Sequence, residues 1–229
     1  MKTIIVTGAS GNLGQAVVKK FLAENYFVIG TFIPHDALVI GTQGKNFETA
    51  VVDLTNENAA RQFADLVVEK HRSIDVAVLT VGGFAMGKIA DTKTSDIEKQ
   101  YKLNFETAYN MARPVFLQML KQGSGRIFMI GSRPGLDMHN SKGMLAYGLS
   151  KSLIFRLAEL MNDEAKGTNV VTSVLVPSTI DTPQNRSSMP DADFSKWVTA
   201  ESIADIIYFY CTDKAAVIRE PVIKVYNKA

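Results

Sequence analysis

The chain lacks the features that announce a secreted, membrane-spanning or polyanion-binding protein. Its 229 residues include one cysteine, Cys211, so no internal disulfide can form, and the composition fits a reducing compartment such as the cytoplasm. No apolar run reaches the roughly 18 residues of a membrane span. The opening MKTIIVTGAS meets glycine too early for a signal peptide. Charge is nearly balanced, with 25 basic and 23 acidic residues for a net +2, and no long run of one sign occurs. Neither nucleic acid nor a membrane is therefore expected as a partner, and no metal site is expected. What remains is ordinary globular chemistry, 46% hydrophobic and 21% charged. At roughly 150 residues per domain, the length is best spent on one domain spanning residues 1–229.

Strand-length apolar runs alternate with segments of helical period. Lys2 to Thr7 is a β-branched run ending in glycine, which predicts a buried strand. Asn12 to Glu24 puts Leu13, Val17, Phe21 and Leu22 on one helical face. Strands are predicted at Tyr26 to Phe32 and Phe47 to Val52, then a helix at Thr55 to His71 with Asn56 or Thr55 as N-cap and Phe63, Leu66 and Val67 facing inward. Ile74 to Val81 is the fourth strand, and a long helix follows from Thr94 or Ser95 to Lys121, with Pro114 inside it predicting a kink. Arg126 to Ile130 is the fifth strand, Met144 to Lys166 a second long helix and Val170 to Val176 the sixth strand. A helix at Ala200 to Thr212 and a strand at Pro221 to Tyr226 close the chain. This alternation predicts a doubly wound α/β domain of Rossmann type, a parallel sheet with helices on both faces. Two stretches lack period. Ile33 to Asn46 leaves room for little more than a loop, and Pro177 to Trp197 is long enough to suggest a lid or binding loop.

The first strand runs into TGASGNLG, with glycines at 8, 11 and 14. At a strand-to-helix turn these let backbone N–H groups approach a pyrophosphate lying on the helix N-terminus. Gly8, Ser10, Asn12, Leu13 and Gly14 are the candidates for that cradle, and Gly14 would let helix and strand pack closely. The selector for the cofactor's ribose is less plain. The second strand ends in GTFIPHD, with Phe32 where an NAD-specific site would carry an acid. His35 and Lys45 are the only basic groups near enough to meet a 2′-phosphate. NAD and NADP both stay open. With no acid at the strand end, NADPH is expected to be accepted at least as well as NADH, unless Asp36 excludes it. Asp53, just past the third strand, either accepts the adenine amino group or caps the chain before Thr55.

The segment YGLSK puts Tyr147 and Lys151 on one face at the start of a long helix. A phenol needs a neighbouring cation to exchange protons near neutrality, and an ammonium one turn away supplies it. Ser132 follows the fifth strand, at the carboxyl edge where parallel sheets bind ligands, and can hydrogen-bond a carbonyl as charge develops on it. Asn104 is a polar amide among apolar neighbours in the first long helix, so it needs a partner.

Taken in order, TGxxxxxG at the first strand, Asn104, Ser132 and the Tyr147/Lys151 pair resemble the short-chain dehydrogenase/reductase superfamily over nearly the whole chain. The resemblance implies an NAD(P)(H)-dependent hydride transfer to or from a small carbonyl compound. Tyr147 would be the proton donor. Lys151 would lower its pKa and hold the nicotinamide ribose, Ser132 would orient the carbonyl and Asn104 would anchor a water relay. Pro177 and Thr182 in PSTIDT match the segment that meets the nicotinamide, with Ser178 in place of a glycine. The usual NNAG reads TVGG here, Thr80 to Gly83, making Gly82 a cofactor contact, and the spacing of the glycines is the GxxGxxG of the extended branch. The resemblance also implies a homodimer or homotetramer formed through the two long helices.

Two further stretches, VGGFAMG and IDTPQNRSSMPDADFSKW, are similar to those of the quinonoid dihydropteridine reductases. In the second, Asn185 and Arg186 offer polar contacts and Met189, Phe194 and Trp197 apolar cover, enough to close on a flat ring or simply to pin the loop. Because Ser132 and Asn104 favour a carbonyl, dihydropterin reduction is the second expectation. A non-catalytic dinucleotide-sensing regulator would have no use for the four polar residues. A sugar-nucleotide epimerase would need a further C-terminal substrate domain.

Overall fold

The structure is a computed structural model that describes residues 1–33, 44–137 and 141–228. Pro34, His35, Asp36 and Gly41, from the first of the two predicted loops, lie outside the described residues. The chain begins β1 (Thr3–Thr7), α1 (Asn12–Ala23), β2 (Phe27–Phe32), β3 (Phe47–Val51) and α2 (Glu57–His71). It continues through β4 (Val76–Leu79), α3 (Thr94–Tyr101), a π-helical turn at Lys102–Glu106, α4 (Thr107–Gln122) and β5 (Ser124–Ile130). The last part holds α5 (Arg133–Leu136), α6 (Leu145–Glu164), β6 (Asn169–Pro177), β7 (Ile180–Asp181) and α7 (Pro183–Ser188). After these come β8 (Val198–Thr199), α8 (Ala200–Tyr210) and β9 (Val222–Val225).

Seven strands pair in the order β3-β2-β1-β4-β5-β6-β9, every pairing parallel. This is the Rossmann-type doubly wound sheet. It follows from period-two strands buried on both faces. In β1, Ile4 and Val6 join the core under α1 and α8, while Ile5 joins the core under α2, α4 and α6. Val76 and Val78 in β4 repeat the first choice, and Ala77 and Leu79 the second. The strand order reverses between β1 and β4, and at such a switch point the loops leaving the two strands part in opposite directions and open a crevice.

Several expectations need correction. The single long helix expected from Thr94 to Lys121 is α3 and α4 joined through the π-turn. One extra residue shifts the helical register within a single turn, too short a stretch to read as a separate element. Pro114 sits within α4, which runs on to Gln122. Leu66 is 63% exposed rather than inward, because α2 packs through Ala60, Phe63, Ala64 and Val67, a stripe that Leu66 falls outside. The stretch from Pro177 to Trp197 is not structureless. It holds β7, α7 and a 3-10 turn at Phe194–Lys196 and leads into β8, which pairs with β7; elements this short carry no readable period. No sequence period marks the four-residue helix α5, whose Pro134 suits a first helical turn.

Gly14 is required by packing. A Cβ there would lie 2.1 Å from the Gly8 carbonyl oxygen and 2.9 Å from Ala9 Cα, whereas one on Gly11 would meet only the Gly8 oxygen at 3.3 Å. Gly14→Ala is therefore expected to destabilise the fold by at least about 2 kcal/mol and Gly11→Ala by less than about 1 kcal/mol. Urea midpoints at unchanged m-value check both.

Candidate active site

The glycine loop lies at the switch point, where β1 turns into α1. Gly8 adopts a left-handed conformation, φ +63°, and its carbonyl accepts from Gly11 N at 3.0 Å. The loop is braced on both sides. Ala9 N donates to Thr31 O at 2.9 Å, and Gln15 Nε2 donates to Ser10 O at 2.6 Å. Helix α1 starts after Gly11 with no side-chain cap and no acid in its first turn. Its leading N–H groups are thus unclaimed by capping side chains, and that first turn carries no negative charge against an anion. Those features fit a dinucleotide pyrophosphate on Gly8, Ser10, Asn12, Leu13 and Gly14.

Sequence reasoning missed the brace from the next strand. Thr80 Oγ1 donates to the Thr7 carbonyl at 2.7 Å, while Thr80 N donates to Thr7 Oγ1 at 3.2 Å. The threonine of TVGG thus ties the end of β4 to the end of β1. Asp53 uses one oxygen locally: Oδ1 accepts from Thr55 N at 2.9 Å and from Thr55 Oγ1 at 2.7 Å, while Asn56 caps α2. At the end of β2, Phe32 is followed by exposed Ile33, and Lys45 is exposed just before β3.

Tyr147, Lys151, Ser132 and Asn104 converge at the carboxyl ends of β4 and β5. Ser132 lies beside the Tyr147 phenol, and its Oγ accepts from Gly135 N at 3.3 Å, capping α5. Burial pushes the Tyr147 phenol up, and the neighbouring Ser132 hydroxyl pulls it back. Lys151, 5% exposed, donates to Ile130 O at 2.8 Å, and desolvation lowers its own pKa to about 8.

Asn104, 1% exposed, has its amide fully engaged by protein. Oδ1 accepts from Gly83 N at 2.9 Å, and Nδ2 reaches Gly83 O, Gln100 Oε1 and Ser150 Oγ at 3.0, 2.8 and 3.1 Å. The π-turn carries it there. Gly82 fits between the two groups, since a Cβ on it would lie 2.7 Å from Asn104 Oδ1 and 3.1 Å from Lys151 Nζ. Gln100 and Ser150 went unnoticed in the sequence, although Gln100 stands one helical turn before Asn104.

The substrate side is apolar over Tyr147. Phe84, 60% exposed, sets its ring edgewise to Tyr147 at 5.0 Å between centroids. Met86 is exposed beside it in sequence, and the segment is pinned where Gly87 N donates to Gly143 O at 2.7 Å. In the loop beyond β6, Pro177 ends the strand and Thr182 caps α7 by accepting from Asn185 N at 3.1 Å. Arg186 is held by Asp181 through two bonds of 2.6 and 2.7 Å and lies over the Phe194 ring. Asn185 Nδ2 donates to Ile180 O at 2.8 Å. Trp197 is buried and packs on Phe194. Phe194 and Trp197 therefore pin the loop, and Asn185 and Arg186 are spent on its own backbone and acid. Met189 stays exposed.

Comparison with known proteins agrees with this geometry. The family profile "short chain dehydrogenase" matches residues 2–193. The chain is 25% identical to the 3-oxoacyl-[acyl-carrier-protein] reductase FabG of Thermotoga maritima over 98% of this chain and 96% of that protein. It is also 25% identical to the dihydropteridine reductase of Dictyostelium discoideum, over 93% and 88%. The crystal structure of gox2181 superposes with a TM-score of 0.87 at 22% identity, covering 98% of this chain and 93% of that one. With a profile spanning most of its length and the family's sheet beneath the site, the chain belongs to the short-chain dehydrogenase family of oxidoreductases.

Proposed function

We propose that this chain is an NAD(P)(H)-dependent reductase of small carbonyl compounds, working as one domain in the cytoplasm, with Tyr147 as general acid. The observation that carries the reading is Ser132 beside the Tyr147 phenol, next to a buried Lys151 whose ammonium bonds a backbone carbonyl. When bound, the dihydronicotinamide supplies the hydride. Gly8, Ser10, Asn12, Leu13, Gly14, Asp53, Gly82, Pro177 and Thr182 hold the dinucleotide, and Lys151 and Tyr147 meet its ribose. Ser132 donates to the substrate carbonyl oxygen, and Tyr147 gives its proton to that oxygen as negative charge builds on it. Asn104 keeps the Gly83 backbone in place beneath the reacting groups. The absence of an acid in the described end of β2 favours NADPH at least as much as NADH. Exposed Tyr101, Tyr109 and Leu117 on α3 and α4, with Leu149, Leu153 and Leu160 on α6, support a homodimer or homotetramer. Among the described residues no helix is long and apolar enough to cross a membrane.

Dihydropterin reduction is the second reading, favoured by the likeness to a dihydropteridine reductase and by Phe84 over Tyr147. One experiment separates the two. Tyr147→Phe is expected to cut carbonyl turnover by about 10² or more. Ser132→Ala is expected to cripple carbonyl reduction while leaving quinonoid dihydropterin reduction nearly intact, since a ring nitrogen takes up that proton. A wild-type enzyme that reduces the dihydropterin and none of a panel of ketones and aldehydes reverses the order of the two readings.

Cofactor binding has its own test. Gly11→Val, whose Cβ would meet only the Gly8 oxygen at 3.3 Å, is expected to abolish NAD(P)H binding by calorimetry while the protein stays folded. Parallel titrations of the wild type should give NADPH an affinity equal to or above that of NADH.

Proton uptake by Lys151 gives a pH dependence. Its pKa is lowered to about 8, so the ammonium prevails below that value and is lost as pH rises through it. A bound pyrophosphate dinucleotide favours the charged form. NAD(P)H affinity is therefore expected to weaken as pH rises past about 8, and Lys151→Met should flatten that dependence.

A further inference from the structure

We propose that Arg133 is the substrate's anion anchor, so that the carbonyl compound this enzyme reduces also carries a carboxylate, an oxo acid rather than a neutral ketone. The inference rests on the reductase reading above and narrows its substrate class. Arg133 follows Ser132 directly, so its Cα lies about 3.8 Å from that of the serine on Tyr147. Its guanidinium lies over the Tyr226 ring, 4.7 Å from the centroid. Its Nε is buried with no hydrogen-bond partner. Among the described residues no carboxylate forms an ion pair with it. The nearest acid in its sequence, Asp137, acts on the Tyr226 hydroxyl in the opposite sense to Arg133, raising its pKa where Arg133 lowers it.

A buried, unsatisfied donor on a charged group is unfavourable, and buried polar groups without partners are rare enough to need an explanation. The free atom is informative about the ligand. Nε and one Nη form the side-on edge of a guanidinium, which grips a carboxylate through two parallel bonds. A second orphan lies on the next strand: Ser178 Oγ, one residue past β6, is also buried and unpartnered, and Ser178 N is anchored to Val225 O at 2.9 Å. The ends of β5, β6 and β9 thus bring a guanidinium and a hydroxyl, both short of partners, to one stretch of the carboxyl edge.

The sheet order decides which anion this is. Four strand spacings separate β1 from β9, about 19 Å at the usual inter-strand distance. The pyrophosphate end of the dinucleotide belongs to the glycine loop after β1, so an anion between Arg133 and Tyr226 falls on the substrate half of the edge. Contact with the Tyr226 ring restrains the guanidinium, which reduces what a ligand must immobilise.

The test compares acetoacetate and 4-oxopentanoate with their methyl esters, using wild type, Arg133→Met and Arg133→Lys with NADH and NADPH. Wild type is expected to prefer the acids, and Arg133→Met to lower the acid-to-ester ratio of kcat/KM at least tenfold, through KM. Arg133→Lys keeps the charge without the fork and should lower the ratio by less; it carries the comparison alone if the methionine variant does not fold. A wild type indifferent between acid and ester, or a ratio unchanged within twofold in the variants, overturns the anchor. Malonate, an acid with no ketone, separates the two failures. If no compound is turned over but malonate raises the thermal midpoint of wild type and not of the Arg133 variants, the reductase reading fails and the anchor stands. Equal malonate shifts in all three proteins, or none in any, overturn the anchor.

Discussion

The site is organised around one buried charge. An ammonium taken out of water must be given fixed dipoles or it loses its proton, and Lys151 has the Ile130 carbonyl at the end of β5. Holding it there requires α6 to lie tightly on the sheet, through Ile154, Phe155, Ala158 and Met161. It also requires small neighbours. A Cβ on Gly135 would come within 2.7 Å of Lys151 Cβ, and one on Gly82 within 3.1 Å of its Nζ. The lysine thereby sets the distance from α6 to α5, which Ser132 caps, and to the Gly82–Gly83 turn, which Asn104 holds. Tyr147, one turn earlier on α6, is positioned by the same docking.

The cofactor end depends on close approach in the same way. Gly14 lets α1 press against the Gly8 carbonyl, and Thr80 ties β4 to β1 beneath the loop. Backbone held by backbone leaves the amides of the first helical turn oriented before any ligand arrives. Preorganised donors of this kind lose little on binding. The substrate end is built differently. Its apolar cover comes from Phe84 and Met86, in a segment pinned at Gly87, while the loop beyond β6 spends its polar residues on its own folding. Asn185 and Arg186 stabilise that loop, and Arg133, after β5, keeps an Nε without a hydrogen-bond partner.

Most of the framework was legible in the chain itself. Strands buried on both faces must be apolar throughout, and glycine is the residue that permits a left-handed turn against a helix, so β1, the loop and α1 could be read from TIIVTGASGNLG. Helical spacing put Tyr147 and Lys151 one turn apart on α6, and the end of a strand gave the position of Ser132. Other features are set by contacts distant in sequence. Whether Leu66 faces in, where an extra residue enters the helix at Asn104, and whether Asp53 turns toward Thr55 depend on packing partners that no local pattern names. The same holds for the direction of the Lys151 ammonium, the edge of Phe84 on Tyr147 and the unpaired Nε of Arg133. Residue type and spacing determined the fold and the chemical inventory, because periodicity and backbone freedom are local. Only the tertiary structure decided which of those groups are satisfied by the protein and which are left for a ligand, because satisfaction is a property of neighbours brought together from far apart in the chain.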